Sequence, residues 1–84
     1  MHVEFLGIPR ERAGVAHVEV DAGTLGQLFD TLPERFPDLR ELIIDGRLHP
    51  SVVANLNGDE FVSNRQQELS PGDHVLILSA DVGG

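Results

Sequence analysis

The chain has 84 residues, of which 40% are hydrophobic, and this size and composition predict one small globular domain. The 14 acidic residues outnumber the six basic ones and give a formal net charge of −8, which disfavours nucleic-acid binding and favours a basic protein partner. Without cysteine or a long apolar stretch, the sequence excludes disulfides, a thiolate metal site and a membrane span, and it predicts a cytoplasmic protein.

The first elements are predicted to be a β-hairpin. Two short runs, "HVEFLGI" (residues 2–8) and "VAHVEV" (residues 15–20), are rich in apolar and β-branched residues. Apolar and polar residues alternate from Ala16 to Val20, which is the period of a strand with one buried face. The charged segment "PRERAG" (residues 9–14) is interpreted as the connecting loop.

A helix follows in "DAGTLGQLFDTLPERFPDL" (residues 21–39), where five apolar residues recur at helical spacing. These are Leu25, Leu28, Phe29, Leu32 and Phe36. Thr24 and Gln27 have the spacing of a capping box, so the helix is predicted to begin at Thr24. Pro33 lacks a backbone donor and should kink or end the helix.

The middle of the chain is predicted to contain a connector and a second hairpin. "DLRELIIDGRLHP" (residues 38–50) is interpreted as a connector with a short helical turn and a bend at Asp45-Gly46. "SVVANL" (residues 51–56) alternates as a strand does, and Asn57-Gly58 is a strong turn signal leading into "DEFV" (residues 59–62).

The last strand is predicted to lie in the middle of the sheet. "HVLIL" (residues 74–78) follows the turn "SPGD" (residues 70–73) and is apolar on both faces. The predicted order of strand, strand, helix, strand, short strand and strand is that of an α+β roll with one helix covering one face of the sheet.

Internal chemistry is not expected. The four histidines (His2, His17, His49 and His74) lie on separate elements without metal-ligand spacing, so we expect exposed histidines and no metal site. Serines occur in no nucleophile motif, and acidic pairs such as Asp59-Glu60 fall in turns where solvated charge is usual. Nucleophilic catalysis by this chain alone is therefore not predicted.

The final segment "ADVGG" (residues 80–84) has no predicted packing role. A terminal Gly-Gly occurs by chance in roughly one sequence in a hundred, so simple fraying is one interpretation. The other is functional, because Gly83 and Gly84 lack a Cβ and form a thread that can pass through a narrow channel. A carboxylate on that thread could be presented to ATP and adenylated.

The strand before the tail indicates a docking surface. If Val75 and Ile77 point toward the helix, Leu76 and Leu78 must lie on the opposite face. Such an apolar pair beside a reactive tail is what a docking surface needs, although a covering loop is an equally good explanation.

Taken together, these segments resemble the ubiquitin-like sulfur carriers of the MoaD/ThiS type over nearly the whole chain. "FLGIPRERAG" is similar to the first hairpin of the molybdopterin synthase small subunit, and "TLGQLFDTLPERFPDL" to its helix. "LNGDEF" is similar to its central turn, and "LSPGDHVLILSADVGG" to the family's closing stretch. The resemblance implies a β-grasp fold, with a mixed sheet of four to five strands on one main helix in residues 1–79 and a flexible tail in residues 80–84.

The resemblance also implies a function. Gly84 would be adenylated by an E1-like enzyme and converted by a sulfur donor to a thiocarboxylate, with Gly83 as the neck. ATP would be used by that enzyme, and this chain would bind no cofactor. The implied contact residues for partner enzymes are Leu6, Leu76, Leu78, Ala80, Asp81 and Val82. The chain would be a non-catalytic carrier for the large subunit of molybdopterin synthase or another sulfur-accepting enzyme.

Other functions remain open at this point. The same fold and tail serve carriers for thiamine or cysteine synthesis. A protein modifier would join Gly84 to lysines of target proteins, and because this chain contains no lysine it could not form polymers with itself. A plain binding module with an incidental tail is the third possibility.

Overall fold

A computed structural model of the chain describes residues 1–83, with side chains described through Asp81, and Gly84 lies outside the described residues. In chain order the elements are β1 (His2–Leu6), α1 (Ile8–Ala13), β2 (His17–Glu19), α2 (Leu25–Arg35), a 3₁₀ helix (Pro37–Glu41), β3 (Ile43–Ile44), β4 (Arg47–Leu48), β5 (Val52–Leu56), β6 (Glu60–Val62), β7 (His74–Ser79) and a second 3₁₀ helix (Ala80–Gly83). Over this described range, no helix is long and apolar enough to cross a membrane.

Five of the strands form one mixed sheet in the order β2-β1-β7-β5-β6. The first and last strands, β1 and β7, run parallel, whereas β7 pairs antiparallel with β5. The prediction that residues 74–78 lie in the middle of the sheet is therefore confirmed. The five-stranded mixed sheet with its main helix also confirms the predicted α+β class.

The hydrophobic core lies between α2 and one face of this sheet. The largest core side chains from the strands and from α2 are at most 2% exposed. They are Val3, Phe5, Val75, Ile77, Leu25, Leu28, Phe29 and Leu32. The strand residues among them alternate along β1 and β7, so each strand presents its intervening side chains to the opposite face.

Helix α2 begins as the sequence predicts. The Thr24 side chain accepts a hydrogen bond from the backbone N–H of Gln27 at 3.2 Å, and the Gln27 side chain accepts one from the N–H of Gly23 at 2.7 Å. These contacts satisfy donors that the first helical turn leaves free. Pro33 lies inside the helix, which ends two residues later at Arg35.

The prediction of a loop at residues 9–14 is wrong, because this segment forms most of α1. Pro9 lies in the first turn of that helix, where its fixed φ angle is favourable and its missing donor costs little. Gly14 ends the helix with a left-handed φ of 78°, and its N–H donates to the carbonyl of Arg10 at 2.9 Å. The strands on either side, β1 and β2, still pair antiparallel as a hairpin would.

The connector at residues 38–50 contains more structure than predicted. Its helical turn is the 3₁₀ helix, but β3 and β4 form an additional two-stranded hairpin around the predicted bend. Asp45 and Gly46 have φ angles of 53° and 72°, which suit a tight hairpin turn. Because each strand of this hairpin has only two residues, no alternation was available in the sequence to indicate it.

Candidate functional site

The face of the sheet opposite α2, here called the open face, carries three of the six predicted contact residues, which are Leu6, Leu76 and Leu78. Leu6 on β1 and Val53 on β5 are the direct neighbours of Leu78 on β7. Leu6 and Val53 are half-buried, but Leu78 between them is only 8% exposed. The expectation of an exposed Leu76 and Leu78 pair is thus wrong for Leu78, which is buried in the central strand with an apolar neighbour on each side.

Leu76 lies in the next row of the open face and is accessible. It is half-buried between Glu4 of β1 and Asn55 of β5. Phe61 of the edge strand β6 pairs with Asn55 and is 68% exposed, the largest exposed fraction among the large hydrophobic residues. Phe61 was not predicted as a site residue, although adjacent apolar residues on one strand, such as Phe61 and Val62, must lie on opposite faces.

The end of β7 and the first residue of the predicted tail are each held by a hydrogen bond to another segment of the chain. The Ser79 hydroxyl accepts a hydrogen bond from the N–H of Ile8, the first residue of α1, at 2.9 Å. The next residue, Ala80, donates its N–H to the carbonyl of Ser51 at 2.8 Å. Because these contacts hold the end of β7 against two other segments, the chain leaves the sheet from a fixed point.

Beyond this point, the predicted tail residues begin with a 3₁₀ helix that spans Ala80–Gly83. Ala80 and Asp81 are exposed. The Val82 side chain and Gly84 lie outside what the structure describes, so the predicted flexibility of the tail and the roles of these residues remain predictions.

The beginning of β7 is held by a network around Asn57 and Asp73. Asp73 accepts hydrogen bonds from the Asn57 side chain at 3.0 Å and from the N–H of Ser70 at 2.7 Å. Asn57 in turn accepts from the N–H of His74 at 2.8 Å. The hydrogen bonds from Ser70 and then Asn57 lower the pKa of Asp73 from its usual value because they favour the carboxylate.

Three of the four histidines converge on the open face. The ring of His2 lies 5.1 Å from that of His17 and 4.9 Å from that of His74, measured between centroids. His74 also contacts Glu4, and His2 contacts Glu19. The expectation that the histidines stay apart is wrong for these three, because strand pairing brings distant segments together.

The fourth histidine, His49, lies near the start of β5 and serves a local turn. Its Nδ1 accepts from the N–H of Ser51 at 3.0 Å and lies 2.8 Å from the Ser51 hydroxyl. Both contacts join residues only two positions apart, which is the usual way that short polar side chains stabilise a turn.

Arg65 supports the opposite side of the molecule. Its guanidinium makes a paired contact with the Asp30 carboxylate at 2.9 and 3.1 Å and donates to the carbonyl of Gly46 at 2.6 Å. The hydrogen bond from Arg65 is the main cause of a lowered pKa at Asp30. Arg65 therefore ties α2 to the β3–β4 hairpin and has no contact with the open face among the bonds described.

Comparison with known families identifies the chain. The sequence model of the ThiS family matches residues 3–84. The chain belongs to the ThiS family. This confirms the resemblance to MoaD/ThiS-type proteins found in the sequence. No curated protein matches the sequence of this ThiS-family member.

Solved structures agree with this assignment. Crystalline SAMP1 from Haloferax volcanii is 27% identical, with a TM-score of 0.80 over 100% of this chain and 98% of that chain. A chain of the BexX/CysO complex from Amycolatopsis orientalis is 27% identical, with a TM-score of 0.78 over 99% of this chain and 98% of that chain. The fold is thus the ubiquitin-like β-grasp of small sulfur carriers and modifiers.

A third neighbour supports the fold alone. A Pyrococcus furiosus protein provisionally named subunit 1 of molybdopterin converting factor is 24% identical, with a TM-score of 0.73 over 93% of each chain. Identity at this level does not carry function from one protein to the other.

Proposed function

We propose that this protein is a sulfur carrier whose Gly84 bears the sulfur as a thiocarboxylate. The observation that supports this most is that the chain is anchored at Ser79 and Ala80, four residues before the final glycine of a ThiS-family chain that ends in Gly-Gly. Gly83 and Gly84 can enter a channel too narrow for side chains because glycine has no Cβ. The protein would be a carrier rather than a catalyst, with reaction groups supplied by its partners.

The proposed chemistry needs two balanced steps in an E1-like enzyme. A carboxylate oxygen of Gly84 attacks the α-phosphorus of ATP, which forms an acyl-adenylate and releases pyrophosphate. Hydrosulfide from a sulfur donor then attacks the acyl carbon, and AMP leaves with the electron pair of the broken C–O bond. No atom is oxidised or reduced, and ATP is bound by the enzyme rather than by this chain.

The surface that would dock on partner enzymes is the open face next to the tail. Leu76 and Leu6 are accessible there, and the buried Leu78 lies beside Leu6 on the adjacent strand. Ala80, Asp81 and Val82 would follow the chain into the partner's active site. Phe61 lies beyond Asn55 at the edge of the same face and is a further candidate contact, because exposed aromatic residues contribute strongly to protein interfaces.

For the sulfur acceptor, we propose the large subunit of molybdopterin synthase, into which the tail would insert. The support for this choice is the resemblance of the segments from "FLGIPRERAG" to "LSPGDHVLILSADVGG" to the molybdopterin synthase small subunit and its family. Carriers for thiamine or cysteine synthesis share the fold and tail and are the alternative, because the fold does not fix the pathway.

A modifier function is the second candidate, and the likeness to SAMP1 favours it. That protein is named a small archaeal modifier, and its structure matches this chain over its full length. In this function the activated Gly84 carbonyl would be attacked by a lysine amine of a target, with loss of AMP or an enzyme thiol. Targets would receive single copies, because the chain has no lysine.

The first experiment is an intact-mass measurement. The protein is incubated with its host's E1-like enzyme, ATP and sulfide, and then treated with a thiol-alkylating reagent. Alkylation is essential because exchange of one oxygen for sulfur adds nearly the same mass as oxidation of Met1. The chain has no cysteine, so we expect one ATP-dependent alkylated product that maps to Gly84.

Deletion of Gly84 is the matched control and should abolish this product. If an E1-like enzyme that adenylates the protein yields no alkylated product, the carrier function is wrong. Lysine-linked conjugates that disappear with Gly84 would then support the modifier function. Activity that persists without Gly83 and Gly84 would support a binding module instead.

A further inference from the structure

We propose that His2, Glu4 and His74 bind one divalent transition-metal ion, such as Zn²⁺, on the open face. Each of these residues offers one ligand atom, and the three atoms all lie within 4.8 Å of one another. Two imidazoles with one carboxylate form a donor set that suits zinc. The proposal does not rest on the tail chemistry, because none of its ligands belongs to residues 80–84.

Strand pairing places these ligands on a rigid frame. His2 and His74 are direct partners across the parallel β1–β7 pair, and Glu4 lies two residues after His2 on the same face. Both strands lie in the interior of the five-stranded sheet. The backbone positions of the ligands are thus fixed before any ion binds, which lowers the entropy cost of binding.

Two ligand atoms already have the separation that an ion requires. His74 Nε2 lies 3.1 Å from Glu4 Oε1. Two atoms bound to a tetrahedral zinc ion, with bonds of about 2.0 to 2.1 Å, are about 3.3 Å apart. An ion could therefore bind both atoms with little movement of these two side chains, and small side-chain rotations would complete the site with His2.

Glu19 fixes the orientation of His2. The Glu19 carboxylate lies 2.8 Å from His2 Nδ1, and an ionised carboxylate only accepts hydrogen bonds, so Nδ1 carries the proton. In a neutral ring the lone pair is then on Nε2, which is free to bind metal. A histidine that donates to a carboxylate through one nitrogen and binds metal through the other is a recurrent arrangement in metal sites.

Accessibility and charge also favour a cation here. The side chains of His2, Glu4 and His74 are 35%, 39% and 41% exposed, so an ion can enter and keep water in its open positions. The formal net charge of −8 attracts divalent cations to the molecule. Leu76 is the cross-strand neighbour of Glu4, so the bound ion would adjoin the proposed docking surface.

The test is a calorimetric titration of untagged full-length protein with zinc chloride, above the ordinary histidine pKa of about 6.5. We expect one saturable site per chain. His2→Gln and His74→Gln should each weaken binding more than about tenfold, and Glu19→Gln about tenfold through loss of ring orientation. His49→Gln is the matched control, because it makes the same change at a histidine outside the cluster, and it should bind as the wild type does.

Thermal unfolding supplies a second readout that separates binding from folding. Zinc should raise the melting temperature of the wild type and of His49→Gln but not that of His74→Gln. Deletion of Gly83 and Gly84 should leave binding unchanged even if the carrier function is wrong. Three results would each overturn the proposal. They are equal zinc affinity of the wild type and His74→Gln, a loss of affinity in His49→Gln as large as that in His74→Gln, and the lack of saturable zinc binding.

Discussion

Asn57 and Asp73 join the end of β5 to the start of β7 through a side-chain hydrogen bond of 3.0 Å. Asn57 has a left-handed φ of 57° in the turn after β5, and its side-chain Oδ1 also accepts a hydrogen bond from the N–H of His74. One residue therefore shapes the hairpin turn and sets the position at which the central strand begins. The strand that carries Leu76 and leads into the tail depends on this contact.

Asn57→Ala should lower the free energy of unfolding by about 1 to 3 kcal/mol, because it removes side-chain hydrogen bonds and replaces asparagine, which tolerates a left-handed φ, by alanine, which tolerates it less well. Asn57→Gly removes the same bonds but accepts the backbone angle, so it should cost less than Asn57→Ala. Urea denaturation of the three proteins measures both differences. Equal stability of the alanine and glycine variants would contradict the role of the backbone angle.

Ser79→Ala should lower the free energy of unfolding by about 1 to 3 kcal/mol, because it leaves the N–H of Ile8 without its acceptor. Ser79 is buried, and its hydroxyl caps the beginning of α1 from the end of β7. Ser63→Ala makes the same change at an exposed position and should cost less than about 0.5 kcal/mol. A similar loss in both variants by urea denaturation would argue against a capping role.

Leu76→Ala should reduce the kcat/KM for ATP-dependent thiocarboxylation by about tenfold, since truncating an interface anchor typically costs more than about 1 kcal/mol. The accessible Leu76 side chain adds little to the core, so the melting temperature should change little. The measurement is the rate at which the alkylated product forms when the concentration of this protein is below its KM for the activating enzyme.

Ile44→Ala is the control for this prediction. Ile44 is 51% exposed but belongs to the β3–β4 hairpin rather than to the open face. Its removal should leave the rate of thiocarboxylation unchanged. Equal rates for wild type and Leu76→Ala would mean that the activating enzyme does not dock on the open face.

The contact between Arg65 and Asp30 predicts a pH-dependent contribution to stability. The pKa of Asp30 in the folded protein lies below the ordinary value of about 3.9, so its contribution is fully present above that value. It is lost as the pH falls through the lowered pKa. The difference in urea midpoint between wild type and Asp30→Asn should therefore be constant near neutrality and shrink below about pH 4.

Removal of the partner provides the control for this pH effect. In an Arg65→Met background, Asp30→Asn should no longer change the pH dependence, because the hydrogen bond that lowers the pKa is gone. A difference between wild type and Asp30→Asn that is the same at low and neutral pH would show that the contact has no effect on the titration of Asp30.

Local signals in the sequence were sufficient for α2, for the turn at Asn57-Gly58 and for the central position of β7. Capping, turn chemistry and apolar runs act over a few residues, so they can be recognised without knowledge of the fold. Pro9 and Gly14 were local signals of the same kind, at the beginning and end of α1, but the charged residues between them favoured a loop interpretation. The missed helix was therefore predictable in principle.

The candidate site shows where local patterns fail. His2 and His74 lie at opposite ends of the sequence, and only the parallel pairing of β1 with β7 makes them neighbours. Strand register depends on the whole sheet, so no spacing rule along the chain could have shown this cluster. The burial of Leu78 could not be predicted for the same reason, since its neighbours Leu6 and Val53 come from two different strands.

If Gly84 is activated as proposed, the central position of β7 would link that activation to the completion of folding. A nascent chain reaches this strand last among those described, and until it inserts between β1 and β5 the two halves of the sheet have no common neighbour. Leu76 then has no surface around it, and residue 80 has no fixed point of departure. An activating enzyme that requires both features would reject an unfinished or unfolded carrier before ATP is spent on it.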